Sequence, residues 1–389
     1  MHFIWNLLQC YIGFNLIMPI ILLTIYFVKS KKNQTFSNLN IDEADYAIIV
    51  TAYEETSLLQ GVIKSILQLN YSNYLIYIVA DKCDISNLSF DNERVILLLP
   101  EKTLASNTRS HFYAINNFKR QHNRLTIIDS DNLVHPEYLN EINKYFDQGF
   151  KAVQGLRAAK SFNTLYAALD AARDIYYHFY DGKVLFFIGS SATLAGSGMA
   201  FTVQLYKDCL AHLDIVGAGF DKILQKQIVG KGYRIAFAEH AIIYDEKTAH
   251  SDQLVNQRAR WINTWFKYFS FGFSLIAKGV IKFSWNQLLF GLVLLRPPLF
   301  IFLLLSACFF IINLLFKPFL AIFWSFAILI FAIGFLLSLL LNNADPKIYQ
   351  SLRGIPKFIY FQILSLMKVG NANKRSVATK HYNDKLNKF

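Results

Sequence analysis

An α/β domain built on a mainly parallel sheet, carried between apolar helices near both ends of the chain, is the architecture this sequence predicts. Three observations predict it. Apolar strands alternate with helix-periodic segments from Tyr46 onward, charge-free stretches of bilayer-crossing length flank that region, and acids close several of the strands.

Met1 to Val28 holds no Lys, Arg, Asp or Glu, and a membrane helix needs about 20 such residues. Lys29, Lys31 and Lys32 follow it directly, so the positive-inside rule puts the next segment in the cytoplasm. A cleaved leader would carry its charge ahead of the apolar run, and none stands there. The polar stretch 30–45 reads as a linker. Tyr46 to Val50 is then an apolar strand, Thr56 to Leu69 a helix, Leu75 to Ala80 a second strand and Arg94 to Leu99 a third. Ala105 to Arg120 reads as a helix, Leu125 to Ile128 as the central strand, and Pro136 to Phe146 as a helix opened by proline. Asn163 to Tyr180 is a further helix, whose Tyr166, Tyr176, Tyr177, Phe179 and Tyr180 are packing residues or sugar-stacking platforms.

The domain 46–261 gives way to 262–298, rich in aromatics and carrying Lys278 and Lys282, the composition of helices lying in the headgroup region. Arg296-Pro297-Pro298 interrupts the apolar pattern. Leu299 to Phe316 and Phe319 to Leu341 carry no charge and form two spans within 299–341, separated by Lys317 and Pro318. In 342–389, Ile355 to Val369 reads as an interfacial helix ahead of a basic tail with Lys374, Arg375, Lys380, Lys385 and Lys388. That tail again falls on the cytoplasmic side.

Lys and Arg number 39 against 27 Asp and Glu, a net charge of +12. In a membrane protein this excess is assigned to anionic lipid headgroups rather than to nucleic acid. Cys10, Cys83, Cys209 and Cys308 show no C-x-x-C spacing, which argues against a disulfide framework or zinc site and fits a reducing cytoplasm.

The chemistry gathers at strand ends. Asp129 and Asp131 close the central strand. Residues i and i+2 of a strand share a face, so both carboxylates can meet one hard cation, Mg²⁺ or Mn²⁺. Tyr53, Glu54 and Glu55 close the first strand and Asp81 and Asp84 the second, where an aromatic and a carboxylate can hold a nucleobase. Gly189 to Phe201 is a Gly/Ser loop entering an apolar strand. It lacks the Gly-Lys-Ser/Thr ending of a nucleotide P-loop.

T-A-Y-E-E (51–55), V-A-D-K-C-D (79–84), I-D-S-D-N (128–132), G-S-G-M-A-F (196–201), G-F-D-K-I-L (219–224) and Q-R-A-R-W (257–261) resemble, in order, the motifs of family 2 glycosyltransferases. These are inverting enzymes of Rossmann-like GT-A fold that include membrane-integrated polysaccharide synthases. The match to their Q-x-x-R-W signature is the most specific. The resemblance implies that Tyr53, Glu55 and Asp81 hold the nucleotide of a sugar donor, that Asp129 and Asp131 meet ribose, diphosphate and metal, and that Asp221 is the general base. It further implies that Arg260 faces the diphosphate, and that Gln257, Trp261 and the loop Gly196, Ser197 and Gly198 face the acceptor. The family usually has Glu-Asp at the base motif, whereas Phe220 precedes Asp221 here. Asp245 or Glu246 is therefore an alternative base, with the competing reading of Tyr244-Asp245-Glu246-Lys247 as a surface salt-bridge cluster. His240 and His250 flank that cluster without an assigned role.

The expected activity is transfer of a sugar from a nucleotide diphosphate, a UDP-sugar by preference, to a lipid-linked or growing glycan acceptor at the cytoplasmic face of a bacterial membrane. A single-sugar transferase needs only anchoring. A processive synthase would need a conduit that a second copy or an export partner completes. A non-catalytic subunit, motivated by Phe220, and a nucleotidyltransferase are the readings from outside this class.

Overall fold

The computed structural model describes residues 2–30, 43–86, 88–247 and 251–371. His250, the basic tail and most of the expected linker lie outside them. Among the described residues eight strands form one sheet: β1 (Tyr46–Tyr53), β2 (Tyr74–Asp81), β3 (Val95–Leu98), β4 (Arg124–Asp129), β5 (Leu133–Val134), β6 (Ala152–Ala159), β7 (Met199–Thr202) and β8 (Ile235–Asp245). Their order is β3, β2, β1, β4, β7, β6, β8, β5. β1 runs parallel to β2 and β4, β2 to β3, and β6 to β8. β7 lies antiparallel between β4 and β6, and β5 is antiparallel to β8.

The sheet is mainly parallel, as expected, and its strands read as unbroken apolar runs because both faces are covered. Ala47 to Val50 and Ile76 to Val79 are buried along their whole length. Each Ile or Val so enclosed contributes about 1.5–3 kcal/mol. The helix Leu59–Leu67 supplies one cover, turning Leu59, Val62, Ile63 and Ile66 inward at helical spacing. Its neighbour Asn107–Asn116 starts later than the apolar pattern implied. The Ser106 hydroxyl accepts the Arg109 N–H at 3.3 Å, and Ala105 adopts φ 46, so the helix cannot extend backward through it.

Among the described residues three helices are long and apolar enough to cross a membrane: His2–Lys29, Leu299–Phe316 and Pro318–Leu341. Gln9 in the first accepts from Asn313 Nδ2 at 2.6 Å and Trp324 Nε1 at 3.1 Å, a polar clasp holding all three. Between the sheet and the last two, Phe271–Ile281 and Trp285–Leu295 form an antiparallel helical hairpin. Glycine sets its closeness: a Cβ on Gly279 would sit 2.5 Å from the Leu288 backbone nitrogen.

The sheet domain docks directly on these helices. Lys29 Nζ donates to the Ile188 carbonyl at 2.9 Å and Tyr180 Oη to that of Gly334 at 2.8 Å. The Tyr177 hydroxyl accepts the Leu299 N–H at 3.1 Å, and the Tyr176 ring stacks on Phe335. Tyr176, Phe179 and Tyr180 are therefore packing residues, buried against the apolar helices.

Gln9→Leu and Asn313→Leu should each lower unfolding stability in nanodiscs by about 0.5–1.7 kcal/mol. The double variant should lose less than the sum, since both changes break one bond. Strict additivity in that cycle would show that the Gln9–Asn313 bond carries no coupling energy.

Candidate functional site

The parallel register brings the expected residues to one sheet edge, with Tyr53 beside Asp81 and Thr51 beside Asp129. Asp129 is fixed from behind, its backbone N–H donating at 3.0 Å to Oγ of the fully buried Ser197. Gln154 braces the same loop, donating to the Ser197 carbonyl at 3.1 Å and accepting the Ala195 N–H at 2.9 Å. Glycine is required at position 198, where φ is 65 and a Cβ would meet Ile243 Cδ1 at 2.9 Å.

In front of this edge opens a cleft of about 1020 Å³. Asp129, Asp131, Gly196, Asp221, Gln257, Arg260 and Trp261 line it. The sequence expectation thus gathers seven of its residues around one space. Ser197 and Gly198 stand behind the wall, and Tyr53, Glu55 and Asp81 are not among the lining residues. Glu55 Oε1 accepts the N–H groups of Thr56 and Ser57 at 3.0 and 2.9 Å, and Asp81 accepts those of Leu104 and Ala105 at 2.9 and 2.7 Å. Asp81 is buried, with both carboxylate oxygens engaged in shaping its own loop.

The cleft changes character along its length. Beyond the carboxylates it is walled by Phe300 and Leu303 of one apolar helix, Phe331 and Phe335 of the next, and Ile355 and Phe358 of the helix Ile355–Met367. That last helix packs on the one carrying the Q-x-x-R-W residues, Ser251–Tyr268, which also donates from Asn263 Nδ2 to the Val369 carbonyl at 2.9 Å.

Sequence reading missed the buried ion pairs beneath the site. Arg157 Nη2 lies 2.9 Å from Asp245 Oδ2, and Lys247 Nζ lies 2.7 Å from Asp245 and 2.5 Å from Asp174. Arg173 bonds Asp174 and, at 3.1 Å, Asp170, which also holds Arg258. Arg258 and Arg173 then flank the Trp261 ring, their guanidinium carbons 4.1 and 4.4 Å from its centroid. The 244–247 cluster is therefore no surface feature, since Lys247 is buried. His240 is exposed, 3.6 Å from Glu239.

Electrostatics separates the acids. Burial at the cleft floor, then the Asp131 carboxylate, push Asp129 up to about 7 against the pull of Arg157. Asp245 moves the other way: burial would raise it, but Arg157 and Lys247 hold it down to about 2. A carboxylate pinned by two cations is a poor base, which weighs against Asp245. Asp221 lines the cleft at the start of the helix Phe220–Gly230, its Oδ2 3.1 Å from Lys222 Nζ. Phe220 is buried edge-on to His111, ring centroids 5.2 Å apart. Burial takes the His111 imidazole down to about 3, so it is a neutral packing partner.

Among the described residues no group of three or more His, Cys, Asp or Glu forms a cage for a metal. Asp129 and Asp131 offer only oxygens on an open wall, which fits a hard cation completed by water and substrate phosphate.

This sheet, with acids at its carboxyl-end rim and membrane-length helices attached, defines a GT-A-like α/β domain. A family model described as Glycosyltransferase like family 2 matches residues 44–264, more than half of the chain. The chain belongs to that family. No curated protein matches it by sequence. Among solved structures, mannosyltransferase PcManGT from Pyrobaculum calidifontis, in complex with GDP-Man and Mn²⁺, is similar at 14% identity and TM-score 0.52, over 92% of this chain and 98% of that one. TarS 1-349 of S. aureus in complex with UDP-GlcNAc aligns at 12% identity and TM-score 0.39, over 60% of this chain and 66% of that one. At such identity the first likeness is one of fold alone.

Two outcomes follow from the charges. Asp129 keeps its proton up to about 7 when folded but releases it near pH 4 when unfolded, about its ordinary value. The folded chain thus binds the extra proton between those values, and this group lowers stability as pH rises through them. Cation-free protein should therefore melt lower at pH 8 than at pH 5 on this account, and Asp129→Asn should be the more stable form at pH 8 only. Equal melting temperatures at pH 8 would refute the shift. Asp245→Asn should cost about 3–5 kcal/mol of stability by removing the carboxylate partner of Arg157 and one of the two partners of Lys247, read as a fall in melting temperature.

Proposed function

We propose that this family member is an inverting glycosyltransferase that takes a sugar from a nucleotide diphosphate, a UDP-sugar by preference, and transfers it to a lipid-linked acceptor at the cytoplasmic face of a bacterial membrane. One observation carries the reading. A single cleft joins the carboxylates Asp129, Asp131 and Asp221 to the apolar faces of helices long enough to span a bilayer.

The residues suit the reaction. The acceptor hydroxyl attacks the anomeric carbon from the side opposite the leaving diphosphate. One carbon–oxygen bond forms as the other breaks, and a carboxylate takes the hydroxyl proton. Asp221 is assigned that role, because it faces the cleft while Asp245 is held by two cations. Asp129 and Asp131 would hold Mg²⁺ or Mn²⁺, which when bound offsets negative charge on the diphosphate. Arg260, half-buried on the same wall, adds a planar fork of donors for phosphate oxygens. Gln257 and Trp261 face the acceptor. Tyr53, Glu55 and Asp81 shape the nucleotide's end of the sheet edge. Membrane lipids surround the three spans. The processive alternative is not adopted, since Asn313 is spent on Gln9 instead of lining a water path.

The test is release of nucleotide diphosphate by the chain in lipid nanodiscs, with UDP-, GDP- and dTDP-sugars, Mg²⁺ or Mn²⁺, and lipid extract. Turnover with one donor is expected, lost on chelation and in Asp131→Ala, and reduced about 10²–10⁴-fold in Asp221→Asn. Full activity in Asp221→Asn would remove it as base. Nucleotide binding without turnover of any donor would favour a non-catalytic subunit.

A further inference from the structure

The lining of the same cleft carries polar groups that nothing among the described residues satisfies. Asp181 and Arg296 form a buried ion pair, yet Asp181 Oδ1 and Arg296 Nη1 have no hydrogen-bond partner. Gln225 is fully buried, its Oε1 occupied by the Leu194 N–H at 3.0 Å and its Nε2 unpartnered. All three line the cleft. The backbone joins them, since the Thr193 N–H, next to Leu194, donates to the Asp181 carbonyl at 2.9 Å. Such groups cost roughly 1–3 kcal/mol each when left unmade, so native proteins rarely tolerate three in one place without a ligand or water.

Their backbone setting is unusual too. Asp181 sits in a seven-residue π-helix, His178–Val184, a geometry that is rare and concentrated at functional sites. Gln225 lies one turn after Asp221 and so on the same helix face as the proposed base. Arg296 precedes the helix Leu299–Phe316 in a turn fixed by Tyr11, whose hydroxyl donates to the Leu295 carbonyl.

Among these three side chains one acceptor and two donors are open, and that combination selects a ligand class. A phosphate at neutral pH offers acceptors only and would place negative charge against Asp181 Oδ1. A hydroxyl both donates and accepts, and neighbouring hydroxyls of a sugar ring would satisfy the acceptor and both donors. We propose that Asp181, Gln225 and Arg296 form a subsite for the hydroxyls of a sugar already carried by the acceptor. The substrate class is then a glycolipid, whose chain follows the apolar limb of the cleft and whose sugar presents a further hydroxyl to Asp221. This inference rests on the transferase reading and narrows its acceptor.

The experiment holds the tail constant and varies the head. Full-length chain in phosphatidylcholine nanodiscs is titrated with dodecyl β-glycosides, dodecyl phosphate and dodecanol, each at low mole fraction, with tryptophan fluorescence reporting half-saturation. At least one glycoside should bind ten times more tightly than both other probes, and Gln225→Leu should bring it within threefold of dodecanol. The unmodified chain alone decides the headgroup preference, so the result does not depend on a variant that fails to fold. Tighter binding of dodecyl phosphate, equal binding of all heads, as when water alone fills the subsite, or a preference that survives Gln225→Leu would each overturn the proposal. Turnover of a bare polyprenyl phosphate would overturn it and leave the transferase reading standing. A glycoside preference without turnover of any nucleotide-sugar would do the reverse.

Discussion

A ladder of buried, alternating charges ties the sheet edge to the helix that carries the Q-x-x-R-W residues. From Arg157 through Asp245, Lys247, Asp174, Arg173 and Asp170 to Arg258, each member except the ends meets two opposite charges. Burying charge is costly, and a paired set of this kind seldom adds net stability over apolar packing. What it supplies is geometry. Two pairs of elements, 152–177 and 235–268, are held together to a few ångströms, because any slip would leave a charge in low dielectric without its partner. Trp261 inherits its position from the ladder's end, between Arg258 and Arg173.

The ladder also explains why the acids around the cleft behave differently. Asp245 is inside it and is held ionised, whereas Asp129 feels Arg157 only across space and lies beside Asp131. One carboxylate is locked as a structural anion while its neighbour is crowded and poorly solvated. Crowded carboxylates facing an open cleft are a site prepared for added positive charge, whether from a proton or a cation. The same cleft then passes to apolar walls within one continuous space. A substrate filling it must be polar at one end and apolar at the other.

Much of this was legible in the sequence. The apolar runs 46–50 and 75–80 are strands because parallel strands are buried on both faces, and that requirement leaves an unbroken hydrophobic mark. The D-x-D at 129–131 and the signature at 257–261 mark the cleft because their spacing reflects local geometry. The ladder was not legible. Asp170, Arg173 and Asp174 have the i, i+3 and i, i+4 spacing of an ordinary solvated helix face, and only tertiary contacts from Lys247 and Arg258 bury them. Lys247 misled in the same way, since Asp-Glu-Lys at a strand end reads as surface. Antiparallel β7, set between β4 and β6, was equally hidden, because strand order is decided by long-range packing. One local signal was available in retrospect: Arg296 before two prolines, at the head of a charge-free span, is expensive unless it has an acidic partner such as Asp181.

Phe220 is the point where this chain departs from the pattern it resembles. The side chain at 220 meets a neutral partner, for His111 is buried and uncharged and its ring nitrogen Nδ1 is taken up by the Tyr206 hydroxyl at 2.7 Å. The aromatic ring packs edge-on against that imidazole. The loop ahead of it is held by other means: Gly219 adopts φ 102, and a Cβ there would strike the Tyr268 ring at 2.4 Å. Tyr268 closes the helix that bears the Q-x-x-R-W residues. Steric contact between Gly219 and that helix, with Phe220 anchored behind, therefore orients Asp221 toward the cleft without a second carboxylate. Packing thus holds Asp221 at the cleft with an aromatic beside it, and Phe220 is no sign by itself of a decayed site.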